Sequence, residues 1–359
     1  YANEMKGNRP LPEEHTIFPE ILRDVGYHTA IAGKWQLPGT PSGYGFDEYQ
    51  LRAHWGMIPD DVEYTGGIES RDPDDYNYNY PSRYWHPSIV RNGEFVPTEP
   101  DDYGPDMHVD FIIDFMSRHK AEPFLVYYTM NFTHHPYFAT PATVVSENDK
   151  WVSDKGKNFK PNVEYMDFLM GRITGALDSL GLRENTIAIF TTDNGTGGEG
   201  KAWPEEVGCR VPLVVNCPGT VLPLGQRDEL IDFTDILPTL ADLGGTTVPG
   251  SYVHDGHSFT PLLMGEPYQE REWIFSYLDV RRLLRDDRWL LESCTGFEKC
   301  GDRWLLKGDG KFFDCGESRN GEGYLDVTRS VDPEVVAALN RFRMILQDLP
   351  APFTIFTLN

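Results

Sequence analysis

Apolar residues follow two spacings along this chain. Positions that repeat every three or four residues predict helices at 16–25, 106–120, 161–180, 232–243 and 333–349, with Thr16 as the cap of the first. Short apolar runs predict buried strands at 28–32, 124–129, 187–190 and 211–215. Strands and helices alternate, which predicts an α/β fold with a mostly parallel sheet covered by helices on both faces.

The pattern changes after residue 270. Short alternating runs, at 273–277, 282–284, 289–291, 304–306 and 312–313, predict a small antiparallel sheet that the last helix covers. Two Asp-Arg-Trp-Leu-Leu segments, at 287–291 and 302–306, are interpreted as two antiparallel strands. We therefore predict a large domain over 1–270 and a smaller one over 271–359. Residues 38–105 show little periodicity, and we expect an irregular binding surface there.

Composition limits the classes of partner. The 359 residues carry a formal net charge of −24, with a pI near 4.7. This acidity argues against nucleic acid as a partner, because phosphate binding needs a basic surface. No apolar run is long enough to predict a membrane span. An anionic ligand would need local lysines, arginines or histidines to overcome the overall charge.

Cysteines and sequons bear on the compartment. The five cysteines do not have the spacing of a disulfide scaffold, although Cys294 and Cys300 close a short loop and are a candidate pair. Asn131-Phe-Thr is a glycosylation sequon, and Asn194-Gly-Thr is formally another. With the acidic composition, these features favour a secreted, periplasmic or lysosomal glycoprotein.

A glycine-rich loop follows the predicted strand at 187–190. It begins with Asp193-Asn194-Gly and leads to Lys201. Strands of an α/β sheet present functional groups at their carboxyl ends, and an adjacent carboxylate and amide suit Ca²⁺ or Mg²⁺. Lys201 would hold an anion beside that cation. Taken alone, Asp-Asn-Gly is more common as a plain turn, so both interpretations stay open at this point.

Other segments, taken in chain order, decide between a plain turn and a metal site at Asp193-Asn194. Ile21-Leu-Arg-Asp-Val-Gly-Tyr-His-Thr-Ala-Ile-Ala-Gly-Lys-Trp is followed by Gly45-Phe-Asp-Glu. Residues 124–136 end in Thr-His-x-Pro, and Gly208-Cys-Arg-Val-Pro follows Lys201. This series resembles the sulfatase family of the alkaline-phosphatase-like superfamily over essentially the whole chain. The resemblance implies that family's α/β fold with its small C-terminal antiparallel sheet.

The resemblance also implies a role for each matching residue. Asp193 and Asn194 match metal ligands, for which calcium is expected and magnesium is the alternative. Lys34 and Lys201 match two lysines that hold the sulfate oxygens, and His134 matches the histidine that protonates the leaving oxygen. Without the resemblance, the lysines would be solvated surface charges and His134 an ordinary loop histidine.

Further residues are expected to bind substrate. Gln36 stands where the family has a histidine after Gly-Lys-Trp, and it can still donate and accept a hydrogen bond. His54, Arg83 and Trp85 lie in the irregular region, where an aromatic face can stack on a sugar and an arginine can pair with an anion. The alternative is that these side chains pack the long loop itself.

Two parts of the family's pattern are missing. The sequence has no Cys-x-Pro-x-Arg motif, whose cysteine becomes the formylglycine nucleophile, and no early Asp-Asp metal pair. In the family both precede the segment that resembles residues 8–35. We therefore expect the formylglycine and the rest of the metal shell to come from outside this chain, with an N-terminal fragment of the same precursor as one source.

Together these features predict a sulfuric ester hydrolase acting on a sulfated carbohydrate or an aryl sulfate. The enzymatic alternative is a phosphodiesterase or phosphonate hydrolase of the same superfamily, but two lysines with one metal favour sulfate. The alternative from another class is a catalytically inactive, sulfatase-like binding glycoprotein.

Overall fold

A computed structural model describes residue 11 and residues 15–70, 79–195 and 200–349 of the chain. The chain divides into two compact units, each made of segments that are distant in sequence. The first comprises Tyr1–Thr186, Cys217–Thr220 and Ile236–Thr260, and the second comprises Ile187–Asn216, Val221–Asp235 and Pro261–Asn359. The domain boundary at residue 270 stays a prediction.

The bounds of the regular elements are as follows. The helices are α1 (Phe18–Asp24), α2 (Gly104–Arg118), α3 (Lys155–Leu180), α4 (Glu206–Cys209), α5 (Ile236–Leu243), α6 (Thr260–Met264) and α7 (Pro333–Asp348). The strands of the first unit are β1 (His28–Gly33), β2 (Glu48–Arg52), β3 (Ile68–Ser70), β4 (Asn79–Pro81), β5 (Ile89–Arg91), β6 (Glu94–Val96) and β7 (Phe124–Thr129). The strands of the second unit are β8 (Ala188–Thr191), β9 (Leu213–Asn216), β10 (Ile274–Leu278), β11 (Arg281–Arg285), β12 (Trp289–Cys294), β13 (Gly296–Cys300), β14 (Arg303–Lys307), β15 (Lys311–Asp314) and β16 (Leu325–Asp326). Within the described ranges, no helix combines the length and apolar character that crossing a membrane requires.

A five-stranded sheet forms the framework of the first unit, in the order β6-β5-β2-β1-β7. β1 runs parallel to both β2 and β7, while β5 and β6 are antiparallel. Every residue of β1 after His28 is buried, as expected of a strand covered on both faces. The parallel centre confirms the predicted α/β character, and the antiparallel edge makes the sheet mixed.

Two hydrophobic cores lie on the faces of this sheet. The core beneath α2 and α3 contains Ala30, Ala32, Phe111, Ile112, Phe115, Met116 and Leu177. The opposite core contains Ile31, Trp35, Phe46, Tyr49, Leu51, Ala53 and Val90. Because successive residues of β1 alternate between the two cores, β1 is the strand that both share. α1 packs against β1 and α5.

Residues 38–105 are not irregular throughout, because strands β2 to β6 lie within them. Periodicity missed β2 because its central Gln50 is polar, although the residue is fully buried. Gln50 Nε2 donates to Met107 O at 2.9 Å, and Gln50 Oε1 accepts from Arg91 Nε at 2.8 Å. Hydrogen bonding therefore allows a polar side chain to occupy a core position of the strand.

The predicted starts of α1, α2, α3 and α5 differ from the observed ones, and the caps of α1 and α3 give the reason for those two. α1 begins after Ile17, which makes no side-chain cap, so the prediction that Thr16 caps it is wrong. α3 begins at Lys155, because Asp154 caps it by accepting from Lys157 N at 3.0 Å. Pro161 lies inside this helix. A local hydrogen bond, rather than the proline, sets the boundary.

The second unit contains the predicted C-terminal antiparallel sheet, in the order β10-β11-β12-β15-β16. α7 covers it, since Phe342 and Leu346 of the helix share a core with Leu284 and Phe312 of the strands. The two Asp-Arg-Trp-Leu-Leu segments are both in antiparallel strands, as predicted. They lie in different sheets, however, because β12 pairs with β15 while β14 pairs with β13.

β8 and β9 form a separate antiparallel pair, with Ala188 opposite Asn216. The expectation that they continue the parallel sheet is therefore wrong for these two strands. A parallel connection needs a long crossover, usually a helix, to return the chain. The described part of this connection contains only the four-residue α4, and the chain returns antiparallel.

The structure also corrects the cysteine and sequon predictions. All five cysteines carry free thiols, so the pairing of Cys294 with Cys300 is wrong. Asn131 of the first sequon is 5% exposed, and its Nδ2 atom is buried. The folded chain therefore does not present that nitrogen for glycosylation.

Candidate active site

Lys34 follows β1 at the carboxyl edge of the parallel strands. Its backbone N donates to Thr129 O at 2.8 Å, and Thr129 Oγ1 donates to Lys34 O at 2.6 Å. Gly33 permits this approach, because its φ is +106° and a Cβ there would lie 2.2 Å from Thr129 O. The glycine of Gly-Lys-Trp thus lets β1 and β7 end side by side, with the half-buried Lys34 at their edge.

The two residues after Lys34 differ in exposure. Trp35 is 9% exposed, and its Nε1 donates to Gly39 O at 2.9 Å. This bond fixes the chain that leaves the sheet. Gln36 is exposed at the same edge, a placement compatible with its predicted role in binding substrate, which stays a prediction.

His134 lies on the loop that follows β7. His134 N donates to Asn131 O at 3.0 Å, and Tyr84 Oη donates to His134 O at 3.0 Å. Ring nitrogen Nδ1 lies 2.6 Å from His135 O, so we assign a proton to Nδ1 that is donated to that carbonyl. Proton transfer by this ring would then use Nε2.

Arg83 and Glu69 form a buried ion pair beside this loop. Arg83 Nε lies 2.5 Å from Glu69 Oε1, and the two side chains are 4% and 0% exposed. Arg83 Nη1 donates to His135 O at 3.2 Å, the carbonyl that also accepts from His134 Nδ1. Arg83 therefore positions the histidine loop, and its charge is balanced by Glu69. Glu69 was not predicted from the sequence, because nothing in the pattern of residues 38–105 singles it out.

The remaining predicted substrate residues of this region differ in burial. Trp85 is 4% exposed, its Nε1 donates to Ala139 O at 2.8 Å, and its ring lies 4.8 Å from that of Tyr103 between centroids. This environment fits the packing alternative rather than stacking on a sugar. His54 is exposed, and its Nδ1 accepts from Gly56 N at 3.2 Å.

Asp193 and Asn194 follow β8 in the second unit, the first exposed and the second half-buried. The next residue holds the turn: Gly195 N donates to Gly208 O at 3.0 Å. A Cβ at Gly195 would lie 2.1 Å from Val207 O, so only glycine allows this approach. The turn is thereby fixed against α4, with a carboxylate and an amide beside each other.

Lys201 lies in a second tight segment of the same loop. Trp203 N donates to Gly200 O at 3.0 Å, and a Cβ at Gly208 would lie 2.3 Å from that Gly200 oxygen. Lys201 is half-buried there. Residues 196–199 lie outside the described residues, so the loop is characterised at its two ends.

A buried ion pair anchors α4 beneath this loop. Glu206 is 8% exposed and accepts from Arg285 Nη1 at 2.5 Å and from Tyr324 Oη at 3.2 Å. Arg285 Nη2 also donates to Ser318 O at 2.8 Å. These partners come from segments distant in sequence, which is why the sequence analysis did not identify them.

The predicted site residues divide between the two units. Lys34, Gln36, His54, Arg83, Trp85 and His134 belong to the first, and Asp193, Asn194 and Lys201 belong to the second. The donors of Asp193 and Asn194 fit a hard divalent cation, because carboxylate and amide oxygens are the ligands it prefers. Calcium takes about six to eight oxygens, so further donors must complete the shell.

The cysteines do not fit a formylglycine. None lies in a Cys-x-Pro-x-Arg segment. Burial raises the pKa of Cys209, Cys294 and Cys315, the last to about 11. These thiols stay protonated near neutral pH and are weak nucleophiles, so we assign no reaction step to them.

The fold is similar to that of a Vibrio parahaemolyticus protein of the alkaline phosphatase superfamily, with a TM-score of 0.51 at 14% identity, a likeness that supports the fold alone. A family model described as Sulfatase matches residues 1–246. The chain belongs to the sulfatase family.

Similar proteins agree with this assignment. The chain is 28% identical over 292 residues to the uncharacterized sulfatase YdeN of Escherichia coli K12, covering 74% of this chain and 51% of that protein. It is 27% identical over 292 residues to N-acetylgalactosamine-6-sulfatase of Canis lupus familiaris, covering 74% and 52%. The chain therefore spans about half the length of these curated relatives. The solved structure of BT4656 in complex with its substrate D-glucosamine-2-N,6-O-disulfate matches with a TM-score of 0.65 at 18% identity, covering 97% of this chain and 85% of that one. This last likeness supports the fold alone.

Proposed function

We propose that this chain serves the hydrolysis of a sulfate monoester, with a sulfated carbohydrate as the preferred class of substrate. Membership of the sulfatase family supports the class of reaction. The observation that carries the proposal concerns the ends of the adjacent parallel strands β1 and β7: Lys34 directly follows β1, and His134 lies on the loop that follows β7. The name of one relative, N-acetylgalactosamine-6-sulfatase, favours a carbohydrate.

The reaction adds water across the S–O bond, so R–O–SO₃⁻ and H₂O give R–OH and HSO₄⁻. As that bond breaks, negative charge builds on the bridging oxygen, and His134 Nε2 donates a proton to it. Lys34 and Lys201 stabilise charge on the remaining sulfate oxygens. Asp193 and Asn194 would hold a calcium or magnesium ion, which supplies further positive charge to the sulfate.

Two groups that the reaction needs are proposed to come from outside this chain. They are a formylglycine nucleophile and the remaining metal ligands, and an N-terminal fragment of the same precursor is the proposed source. The five cysteines of this chain lack the sequence context of the nucleophile. A secreted, periplasmic or lysosomal location also stays a prediction.

Paired histidine variants of the natural full-length protein test the acid. We expect His134→Ala to lower turnover by about 10²- to 10⁴-fold. The loss should be greater on a sugar sulfate than on an aryl sulfate, because an aryl oxide leaves with less need of a proton. His135→Ala keeps the backbone carbonyl that orients the ring and serves as the matched control. Equal losses in both variants, or equal effects on both substrates, would remove His134 from this role.

Metal and sulfate contacts need separate variants. Asp193→Ala should remove bound calcium, measured by elemental analysis after dialysis against calcium-free buffer. Lys201→Ala should lower turnover by orders of magnitude and leave the calcium content unchanged. Lys160→Ala is the control, because the side chain of Lys160 on α3 is 81% exposed. Unaltered turnover in Lys201→Ala would exclude that lysine from the reaction.

A further inference from the structure

A second group of side chains that could hold a metal ion lies where the parallel strands β1 and β7 begin. His28 is the first residue of β1, His119 is the C-cap of α2, and Glu122 lies in the turn before β7. One nitrogen from each histidine and one oxygen of Glu122 lie within 4.8 Å of one another. We propose that these three residues bind a zinc ion, independently of sulfate-ester hydrolysis.

The distances between the ligand atoms suit tetrahedral coordination of a zinc ion. His28 Nε2 lies 3.3 Å from Glu122 Oε2, and His119 Nδ1 lies 3.4 Å from the same oxygen. Zinc binds nitrogen and oxygen at about 2.0–2.2 Å, which places the corners of its tetrahedron about 3.3–3.6 Å apart. Two of the ligand separations thus already have the required length. The third, between the two histidine nitrogens, is at most 4.8 Å. The rings of His28 and His119 are stacked with 4.2 Å between centroids, so binding requires the partly exposed His28 ring to rotate out of the stack. Water would take the fourth position.

The surroundings of His119 favour this use. His119 Nε2 lies 3.6 Å from Glu48 Oε1. Arg118 Nη1 lies 3.4 Å from the same nitrogen. This side of the ring therefore already has polar neighbours, and Nδ1, which faces Glu122, is the nitrogen placed to bind the ion. Arg118 is the neighbouring cation, and it pairs with both Glu48 and Asp114. Two carboxylates thus balance Arg118, and Glu122 adds a further negative charge beside the two histidines, which favours a cation there.

The position assigns the ion a structural role. β1 has six residues and Lys34 directly follows it, so at about 3.3 Å per residue His28 and Lys34 lie about 20 Å apart along the strand. The group of His28, His119 and Glu122 lies at the start of β1, and Lys34 follows its end. His28 N already donates to Pro123 O at 2.9 Å, and zinc would add a second link between the start of β1 and the turn from α2 to β7.

Zinc titration of the purified chain, with excess calcium present to saturate hard oxygen sites, tests the proposal. We expect one zinc ion per chain by isothermal calorimetry, and a rise in the thermal midpoint on zinc addition. Both signals should disappear in Glu122→Gln and His119→Ala. Glu48→Gln should weaken zinc binding by about 10- to 100-fold.

Two controls separate this site from other ways of binding zinc. His254→Ala removes another surface histidine, and Cys300→Ser removes the exposed thiol; both should bind zinc as the parent does. Metal-free Glu122→Gln should unfold at the parent's temperature, which shows that lost binding is not lost folding. Zinc binding that survives in Glu122→Gln, or that disappears in Cys300→Ser, would overturn the proposal. Neither result would bear on sulfate hydrolysis.

Discussion

Replacing Glu69 by glutamine keeps the size of the side chain and removes the charge that faces Arg83. Both side chains are at most 4% exposed, so solvent does not screen the pair. In Glu69→Gln the guanidinium stays buried without a counter-charge, and Arg83 Nη2 already has no hydrogen-bond partner among the described residues. Removing one member of a buried ion pair costs about 3–5 kcal/mol of unfolding free energy. We expect a loss of that size.

Urea unfolding of the parent, Glu69→Gln, Arg83→Met and the double variant measures this loss. The double variant should lose less than the sum of the single variants, because no uncompensated charge remains. Glu164→Gln is the matched control: it removes an exposed ion pair with Lys160 on α3 and should leave the midpoint unchanged. A loss below about 1 kcal/mol in Glu69→Gln, the range of an exposed pair, would refute the reasoning.

Three further predictions follow from burial and close approach. Trp85→Ala should cost about 3–5 kcal/mol of unfolding free energy, whereas Trp55→Ala, at a side chain 48% exposed, should cost little; urea midpoints compare them. Burial lowers the pKa of His108 from 6.5 to about 3. Because the unfolded chain takes up this proton first, the folded chain loses stability as pH falls from about 6.5 toward 3. His108→Gln should reduce that loss when the free energy of unfolding is measured at several pH values. Gly208→Ala would place a Cβ 2.3 Å from a backbone oxygen, so it should displace the loop and reduce the calcium bound at Asp193 in elemental analysis.

The strands that carry the candidate site were predictable because their signal is local. β1 and β7 are short apolar runs that end in turn-forming residues, and both were predicted within one residue of their observed bounds. β2 was missed because its buried Gln50 depends on Arg91 and on the Met107 carbonyl. Those partners are remote in sequence, and no spacing rule reveals them. The antiparallel return of β9 was missed because the described part of its connection to β8 contains only the four-residue α4 instead of a crossover helix.

In the candidate site, too, local features were predictable and features that depend on residues distant in sequence were not. The place of Lys34 follows from Gly33, whose positive φ lets the strand end close to Thr129. The environment of Trp85 did not follow, because its partner Ala139 lies on another loop. Residue type suggested stacking on a sugar, and only the fold shows that the ring is enclosed. Contacts between residues distant in sequence therefore determine which polar and aromatic side chains can contact a substrate.

The most direct test of sulfate-ester hydrolysis compares sulfate and phosphate esters of the same sugar with the natural full-length protein. We expect release of sulfate far faster than release of phosphate, and loss of the sulfate reaction in His134→Ala with His135→Ala unaffected. Preferential release of phosphate, or a sulfate rate that His134→Ala leaves unchanged, would contradict it.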